Sequence, residues 1–369
     1  MDFLTLGINS DAVSILKKHG ITTPTPIQCE AILPIKEGRD VIGEAQTGTG
    51  KTLAFLLPIF ENINTSLNEP QLLVLTPTRE LALQISKECE KFAECRGINT
   101  LAVYGGRDVN QQLKKLNKSI HIIVATPGRL IDHINRGSVD LSKVKSFVID
   151  EADQMLLMGF KNEVEKIERQ LPKKRQTLCF SATLNSEVKK LAYRFTNEPI
   201  NVSVETEEVT LANIKQNVVE TSDRHKQSSL LKALEADNPF LAIVFCRTKR
   251  RADILEEAMK SNGFNCDKIH SDVKQSKRER IIRSFRDAKL QYLIATDVAS
   301  RGLDIEGVSH IYNYDMPETP EIYIHRIGRT GRKGDSGYTC LFAAQKDMGL
   351  LKQIETAINY KIPRREINL

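Results

Sequence analysis

Short apolar, β-branched runs alternate with amphipathic stretches along the whole chain, a rhythm that predicts βα units and parallel sheets. In the first half the runs are Gln71 to Thr76, Thr100 to Tyr104, Ile120 to Ala125, Ser146 to Ile149 and Thr177 to Phe180. The second half repeats the habit at Ala242 to Cys246, Cys266 to Ile269, Gln291 to Ala295, His310 to Tyr314 and Tyr338 to Phe342. Between the halves Val204-Glu205-Thr206-Glu207-Glu208-Val209-Thr210 is polar, acidic and without helical period. It reads as a linker at 206–212 joining domains at 1–205 and 213–369, and the expected fold class is α/β with two parallel sheets in tandem. Most runs are followed by polar, chemistry-bearing residues. Ligands of open α/β sheets sit beyond the carboxyl ends of the strands, so each half is expected to present a chemical edge, the two facing each other.

A length of 369 residues suits two or three domains with cores of their own. Hydrophobic residues at 40% and charged residues at 27% exclude a disordered chain. No window approaches the ~18 apolar residues of a membrane span, and Met1-Asp2-Phe3-Leu4 does not open a signal peptide. Seven cysteines without zinc or redox spacing suit reduced thiols, so a cytoplasmic protein without membrane contact is expected. The net charge of +6 divides into 26 basic against 24 acidic residues up to position 205, and 27 against 23 beyond it. Such mild basicity permits a polyanionic partner, whose contacts the fold must then place.

The segment Ala45-Gln46-Thr47-Gly48-Thr49-Gly50-Lys51-Thr52 follows an apolar run and precedes a helix-like stretch, matching the phosphate-binding P-loop except that Ala45 replaces its first glycine. Gly48 and Gly50 let backbone N–H groups turn toward phosphate, Lys51 offers a charge to the β and γ phosphates, and the Thr52 hydroxyl suits Mg²⁺. Phe147-Val148-Ile149-Asp150-Glu151-Ala152-Asp153 ends a buried strand in carboxylates, which require a partner. Asp150 is expected to hold Mg²⁺, and Glu151 to orient and deprotonate the attacking water. Hydrolysis also needs positive charge at the γ-phosphate, and His325-Arg326-Ile327-Gly328-Arg329-Thr330-Gly331-Arg332 offers three arginines at spacing three, able to share one face of a turn or helix start.

Together these motifs resemble the DEAD-box ATP-dependent RNA helicases in a minimal two-domain, bacterial form. Asp150-Glu151-Ala152-Asp153 spells the family name, and Thr22-Thr23-Pro24-Thr25-Pro26-Ile27-Gln28 is similar to its Q motif. Pro77-Thr78-Arg79-Glu80-Leu81, Gly105-Gly106, Thr126-Pro127-Gly128-Arg129 and Ser181-Ala182-Thr183 follow in the family's order. So do Val244 to Thr248, Gln275-x-x-Arg278, Ala295 to Asp304 and His325 to Arg332. The resemblance implies two tandem RecA-like domains of the P-loop NTPase class, with ATP between them and single-stranded RNA across both. Further implications are that Gln28 reads the adenine edge, braced by Phe3; Asp304 reaches the ribose; Arg329 and Arg332 reach the γ-phosphate; and His325 with Asp153, Ser181 and Thr183 couples closure to chemistry. RNA contacts would come from Pro77, Thr78, Arg79, Gly105, Gly106, Thr126, Gly128 and Arg129, then from Gln275, Arg278, Thr296 and Arg301. Such groups bind phosphate and sugar and carry no base information, so sequence-tolerant binding by a monomer is expected, protein partners being able to set substrate choice. Among these strand-end motifs only Tyr104-Gly105 offers an exposed-looking ring.

Two residues depart from the pattern. Ile21 stands where the Q motif usually carries an aromatic, so adenine stacking weakens, and Ser271 in His270-Ser271-Asp272 replaces a glycine, which requires that position to avoid positive φ. The chain stops at Leu369, so no accessory RNA-binding tail is expected. The expected activity is RNA-dependent ATP hydrolysis coupled to local, non-processive unwinding of short RNA duplexes or remodelling of RNA–protein complexes. The alternatives are a slowly turning ATP-dependent RNA clamp or scaffold and a DNA helicase of the same superfamily; a P-loop kinase or GTPase leaves the second half unexplained.

Overall fold

A computed structural model describes residues 2–46, 48–93, 96–106, 119–204, 214–300, 305, 307–331 and 336–367, with Val298 and Ser300 described in backbone only. The chain divides into two compact units, Met1–Thr206 and Glu207–Leu369; the linker expected at 206–212 lies outside the described residues.

In the first unit the strands are β1 (Val41–Glu44), β2 (Leu72–Leu75), β3 (Thr100–Val103), β4 (Ile122–Ala125), β5 (Ser146–Ile149), β6 (Gln176–Ser181) and β7 (Ile200–Ser203). All pair in parallel, in the order β3-β4-β2-β5-β6-β1-β7. Strands covered on both faces need no polar alternation, and Leu72, Leu73, Val74 and Leu75 are all fully buried. Successive residues enter opposite layers: Leu72 and Val74 pack with Val41 and Phe180, whereas Leu73 and Leu75 pack with Ile42 and Phe147.

The second unit holds β8 (Ile214–Glu220), β9 (Ala242–Cys246), β10 (Cys266–Ile269), β11 (Tyr292–Thr296), β12 (His310–Asn313) and β13 (Gly337–Ala343), again parallel, in the order β10-β11-β9-β12-β13-β8. The edge strand β8 is partly covered, since Val218 exchanges backbone bonds with Pro363 (2.9 Å) and Arg365 (2.8 Å) of the C-terminal segment. No helix among the described residues is long and apolar enough to cross a membrane.

The apolar runs, with the short run Asp40-Val41-Ile42 before the P-loop, anticipate eleven of these strands to within about two residues. Two differ. β7 and β8 are edge strands with exposed polar positions, Asn201 and Ser203 in one and Lys215 and Glu220 in the other, so neither reads as a continuous apolar run. β1 contains Gly43, whose missing side chain is a packing requirement: a Cβ there would lie 2.5 Å from the Phe180 ring. Phe180 is fully buried against Phe55, with ring centroids 5.5 Å apart, and has little room to retreat. Gly43→Val is therefore expected to cost about 1–3 kcal/mol of first-unit stability by overpacking. Denaturant unfolding measures it, and a midpoint equal to wild type would remove the packing argument.

Candidate functional site

The P-loop leaves the carboxyl end of β1 and enters the helix Lys51–Phe60 through two glycines in the left-handed region, Gly48 at φ +83° and Gly50 at φ +92°. Ala45, in the position of the missing first glycine, is buried, and its N–H donates to Ser181 O at 3.0 Å. Lys51 folds back so that Nζ donates to Ala45 O at 2.6 Å, holding the ammonium inside the loop. The Thr49 hydroxyl donates to Gln46 O at 2.7 Å, and Thr52 is half-buried in the first helical turn. Thr47 lies outside the described residues.

Gln28 is buried beside this loop with both ends of its amide engaged. Its Oε1 accepts from Thr25 N–H at 3.0 Å, capping the helix Pro26–Lys36, and its Nε2 donates to Gly50 O at 3.0 Å. Motif and P-loop are thus one hydrogen-bonded assembly. Phe3 and Ile27 share the adjoining core layer, with Ile21 half-buried at its margin.

β5 delivers the carboxylates. Asp150 is 3% exposed, and its Oδ1 accepts from Glu151 N–H at 3.0 Å. Burial pushes its carboxyl up to about 7, against the pull of the Lys51 cation and with help from the Glu151 charge. A carboxyl so penalised for ionising suits a cation able to restore its charge, and Asp150 with Thr52 could hold one. Glu151 is buried with φ 53° and ψ 53°, a left-handed conformation in a residue that is neither glycine nor asparagine. Such strain costs of order 1–3 kcal/mol and accumulates where a side chain must be aimed.

One strand further along, β6 supplies Ser181 and Thr183. Ser181 Oγ accepts from Asp153 N–H at 3.2 Å and donates to Thr183 O at 2.8 Å, while Thr183 Oγ1 donates to Asp153 Oδ2 at 3.3 Å. These three residues form one network.

The strand order sorts the chemistry. β5, β6 and β1 are neighbours and end in the carboxylates, the Ser181–Thr183 turn and the P-loop; β2, β4 and β3 are neighbours and end in Pro77 to Arg79, Thr126 to Arg129 and Gly105-Gly106. At the second group Arg79 is exposed and lies over Gly105, where a Cβ would stand 3.2 Å from its guanidinium. Gly106 and Gly128 are exposed, Arg129 is half-buried with Nε 3.6 Å from Asp132, and Pro77, Thr78 and Thr126 are buried. Tyr104 corrects the sequence reading: it is 1% exposed, so its ring belongs to the core and offers no stacking platform.

In the second unit the helix Pro320–Ile327 is capped by Thr319, whose Oγ1 accepts from Ile322 N–H. Arg326 therefore falls in the last turn of this helix and Arg329 just beyond it. Arg326 is buried: Nε donates to Asp297 Oδ1 at 2.6 Å, Nη2 to Asp297 Oδ2 at 2.8 Å, and Nη1 to Asn313 Oδ1 and Asp315 O, each at 2.8 Å. Arg329 follows the helix and is mostly buried, and His325 is half-buried. Arg301, Asp304 and Arg332 lie outside the described residues. Thr296 ends β11, mostly buried. Gln275 opens the helix Gln275–Arg286, and Arg278 one turn on is buried, its guanidinium donating to Ala299 O. Ser271 is not among the positive-φ residues, which meets the condition set for a residue with a side chain there.

Sequence reasoning missed the anchoring role of Arg326. Its signal was present in Asp297, Asn313 and Asp315, polar residues at the ends of apolar runs, though nothing in the sequence pairs them with one guanidinium.

Two family models match the chain, DEAD/DEAH box helicase over residues 25–191 and helicase conserved C-terminal domain over residues 225–334. A DEAD-box ATP-dependent RNA helicase CshA of Bacillus cereus is 44% identical over 364 residues, 99% of this chain and 69% of that protein. The Geobacillus kaustophilus CshA is 45% identical over 362 residues, 98% of this chain and 78% of its own. Among solved structures, Saccharomyces cerevisiae Dbp5 bound to RNA and ADP BeF3 superposes with a TM-score of 0.89 at 31% identity, covering 98% of this chain and 95% of that one. Mss116p bound to ssRNA and AMP-PNP gives 0.86 at 30% identity, with coverage of 99% and 79%.

Proposed function

Because the chain belongs to the DEAD-box ATP-dependent RNA helicases, ATP-hydrolysing enzymes with two tandem RecA-like domains, we propose that it couples ATP hydrolysis to local, non-processive unwinding of short RNA duplexes or remodelling of RNA–protein complexes. The observation carrying this reading is the sorted sheet edge of the first unit, where a phosphate loop with two buried acids adjoins a second group of strand ends rich in guanidinium, hydroxyl and glycine N–H donors.

On this reading Lys51 leaves Ala45 O for the β and γ phosphates, and Gln28 exchanges its bond to Gly50 for the adenine edge. Glu151 orients a water against the γ-phosphorus and takes its proton as the bond to ADP breaks. Arg329 and Arg332 balance the charge gathering on the γ-phosphoryl oxygens, Asp304 meets the ribose, and His325 links to Asp153, Ser181 and Thr183. Mg²⁺, held by Asp150 and Thr52, would supply charge neutralisation at the phosphates. RNA backbone falls to Pro77, Thr78, Arg79, Gly105, Gly106, Thr126, Gly128 and Arg129, then to Gln275, Arg278, Thr296 and Arg301. A monomer in the cytoplasm fits, with substrate choice left to protein partners.

ATP turnover with and without single-stranded RNA tests the coupling. Stimulation of tenfold or more by RNA is expected; equal rates would overturn it, and equal unwinding of matched DNA and RNA duplexes would favour a DNA helicase.

A pH dependence follows from Asp150. Its folded-state carboxyl titrates near 7 and the unfolded one near 4, so between those values the metal-free folded state binds the extra proton and stability falls as pH rises. Mg²⁺ competes with that proton. Its stabilisation of the folded protein is therefore expected to grow from pH 6 to pH 8, most steeply below 7. Unfolding temperatures with Mg²⁺ alone at both pH values check this, and a pH-independent increment would remove Asp150 as ligand.

A further inference from the structure

One surface of the second unit is unused by that reading, the outer face of the helix Gln275–Arg286. At about 100° per residue, Arg278, Ile281, Ile282 and Phe285 gather on the inner side, where all four are buried. The outer side presents Lys277, Arg280 and Arg283, all exposed, preceded by exposed Lys274 at the N-cap. Spacing by three residues advances each cation about 4.5 Å along the axis, so the three form a row roughly 9 Å long.

Elsewhere in this unit cations hold carboxylates: Lys249 with Asp272 at 2.7 Å, Lys260 with Glu256 at 2.6 Å, and Lys268 with Asp253 at 2.8 Å and Glu256 at 2.6 Å. Among the described residues no carboxylate oxygen comes within bridging distance of Lys277, Arg280 or Arg283, and Glu279, the acid nearest in sequence, accepts from Gln275 Nε2 at 3.1 Å. Like charges at this spacing repel along the helix, a cost that an external polyanion would reverse. The face also lacks what a protein partner would grip, because every large apolar residue of the helix is turned inward.

We propose that Lys277, Arg280 and Arg283 hold RNA phosphates beyond those met by Gln275 at the start of the same helix, lengthening the strand the second unit can grip. This rests on the RNA-helicase reading above. The contact is electrostatic and blind to base identity. It should matter for long RNA and not for RNA that ends within the core contact set.

The full chain carrying Lys277→Gln, Arg280→Gln and Arg283→Gln tests it, by fluorescence anisotropy with oligouridylates of about 8 and 30 nucleotides across 50–200 mM salt. The expected result is about tenfold weaker binding of the longer RNA at low salt, with a log–log salt slope shallower by about 2, from ~0.7 per lost phosphate contact. Binding of the short RNA, ATP turnover at saturating RNA and the unfolding temperature should be unchanged. An unchanged slope for the long RNA overturns the proposal, as does an equal loss for both lengths. If the variant loses binding to polyaspartate while RNA binding stays intact, the face serves an acidic protein instead and the proposal also falls. A wild type that ignores every RNA tested would refute the function on which the proposal stands, an outcome distinct from failure of the triple variant alone.

Discussion

Glu151→Gln lowers RNA-stimulated ATP turnover by about 10²–10⁴-fold while ATP and RNA binding persist, the range in which a positioned general base contributes. Glutamine keeps the length, the acceptor oxygen and the hydrogen-bonding face, so water can still be oriented but its proton has nowhere to go. The substitution leaves the fold intact for a specific reason: the left-handed backbone at φ 53° is strained equally for both side chains, and the Glu151 N–H, which donates to Asp150, is a main-chain group. Removing the negative charge also relieves Asp150 of a neighbour that raises its titration point, so the variant's Asp150 should ionise more readily. A complex that binds nucleotide and cannot consume it should release RNA more slowly than wild type. Single-turnover hydrolysis and RNA dissociation measured on the same preparation decide the matter: turnover within fivefold of wild type would dismiss Glu151 as base, and faster RNA release would contradict the coupling of hydrolysis to release.

Most of the architecture was legible in the sequence because parallel strands buried on both faces are written as unbroken apolar runs, and Leu72 to Leu75 or Ala242 to Cys246 can be little else. What escaped did so for local reasons. β7 and β8 sit at sheet edges, where one face or one end is wet and the apolar signal thins. The phosphate site was legible through glycines whose positive φ the loop requires, Gly48 and Gly50. Its resting state was legible only in part: the Thr25–Gln28 contact, three residues apart, is a capping box written in the local sequence, whereas the turn of Lys51 onto Ala45 O and the bond from Gln28 to Gly50 O join residues 6 and 22 apart and depend on how the loop folds. Tyr104 shows the opposite error. A ring beside two glycines reads as exposed, yet the position follows β3 directly and is absorbed by the core.

Arg326 carries the other large effect, and it concerns stability before activity. Its guanidinium makes a two-pronged pair with Asp297 at 2.6 and 2.8 Å and single bonds to Asn313 Oδ1 and Asp315 O, while lying 4.8 Å from the Phe245 ring centroid. One side chain thereby joins the residue after β11 to the end of β12 and the segment beyond it, all at the edge from which Arg329 follows. Arg326→Leu fills similar volume but removes the fork from the partly buried Asp297 carboxylate and the donor from the buried Asn313 Oδ1, whose Nδ2 still donates to Thr339, and breaking a buried pair from one side costs up to about 3–5 kcal/mol. Lysine cannot substitute, because a single ammonium reproduces neither the fork to Asp297 nor the reach to Asn313, so Arg326→Lys should lose about half as much. The second unit should unfold earlier while the first keeps its transition, which hydrogen exchange resolves by reporting each unit's amides separately. Adding Asp297→Asn to Arg326→Leu should cost less than the two single changes summed, because each single change already removes the same ion pair. Strictly additive losses, or an Arg326→Leu protein as stable as wild type in the second unit, would reduce this guanidinium to an ornament of the motif and return it to the set of arginines available for the nucleotide.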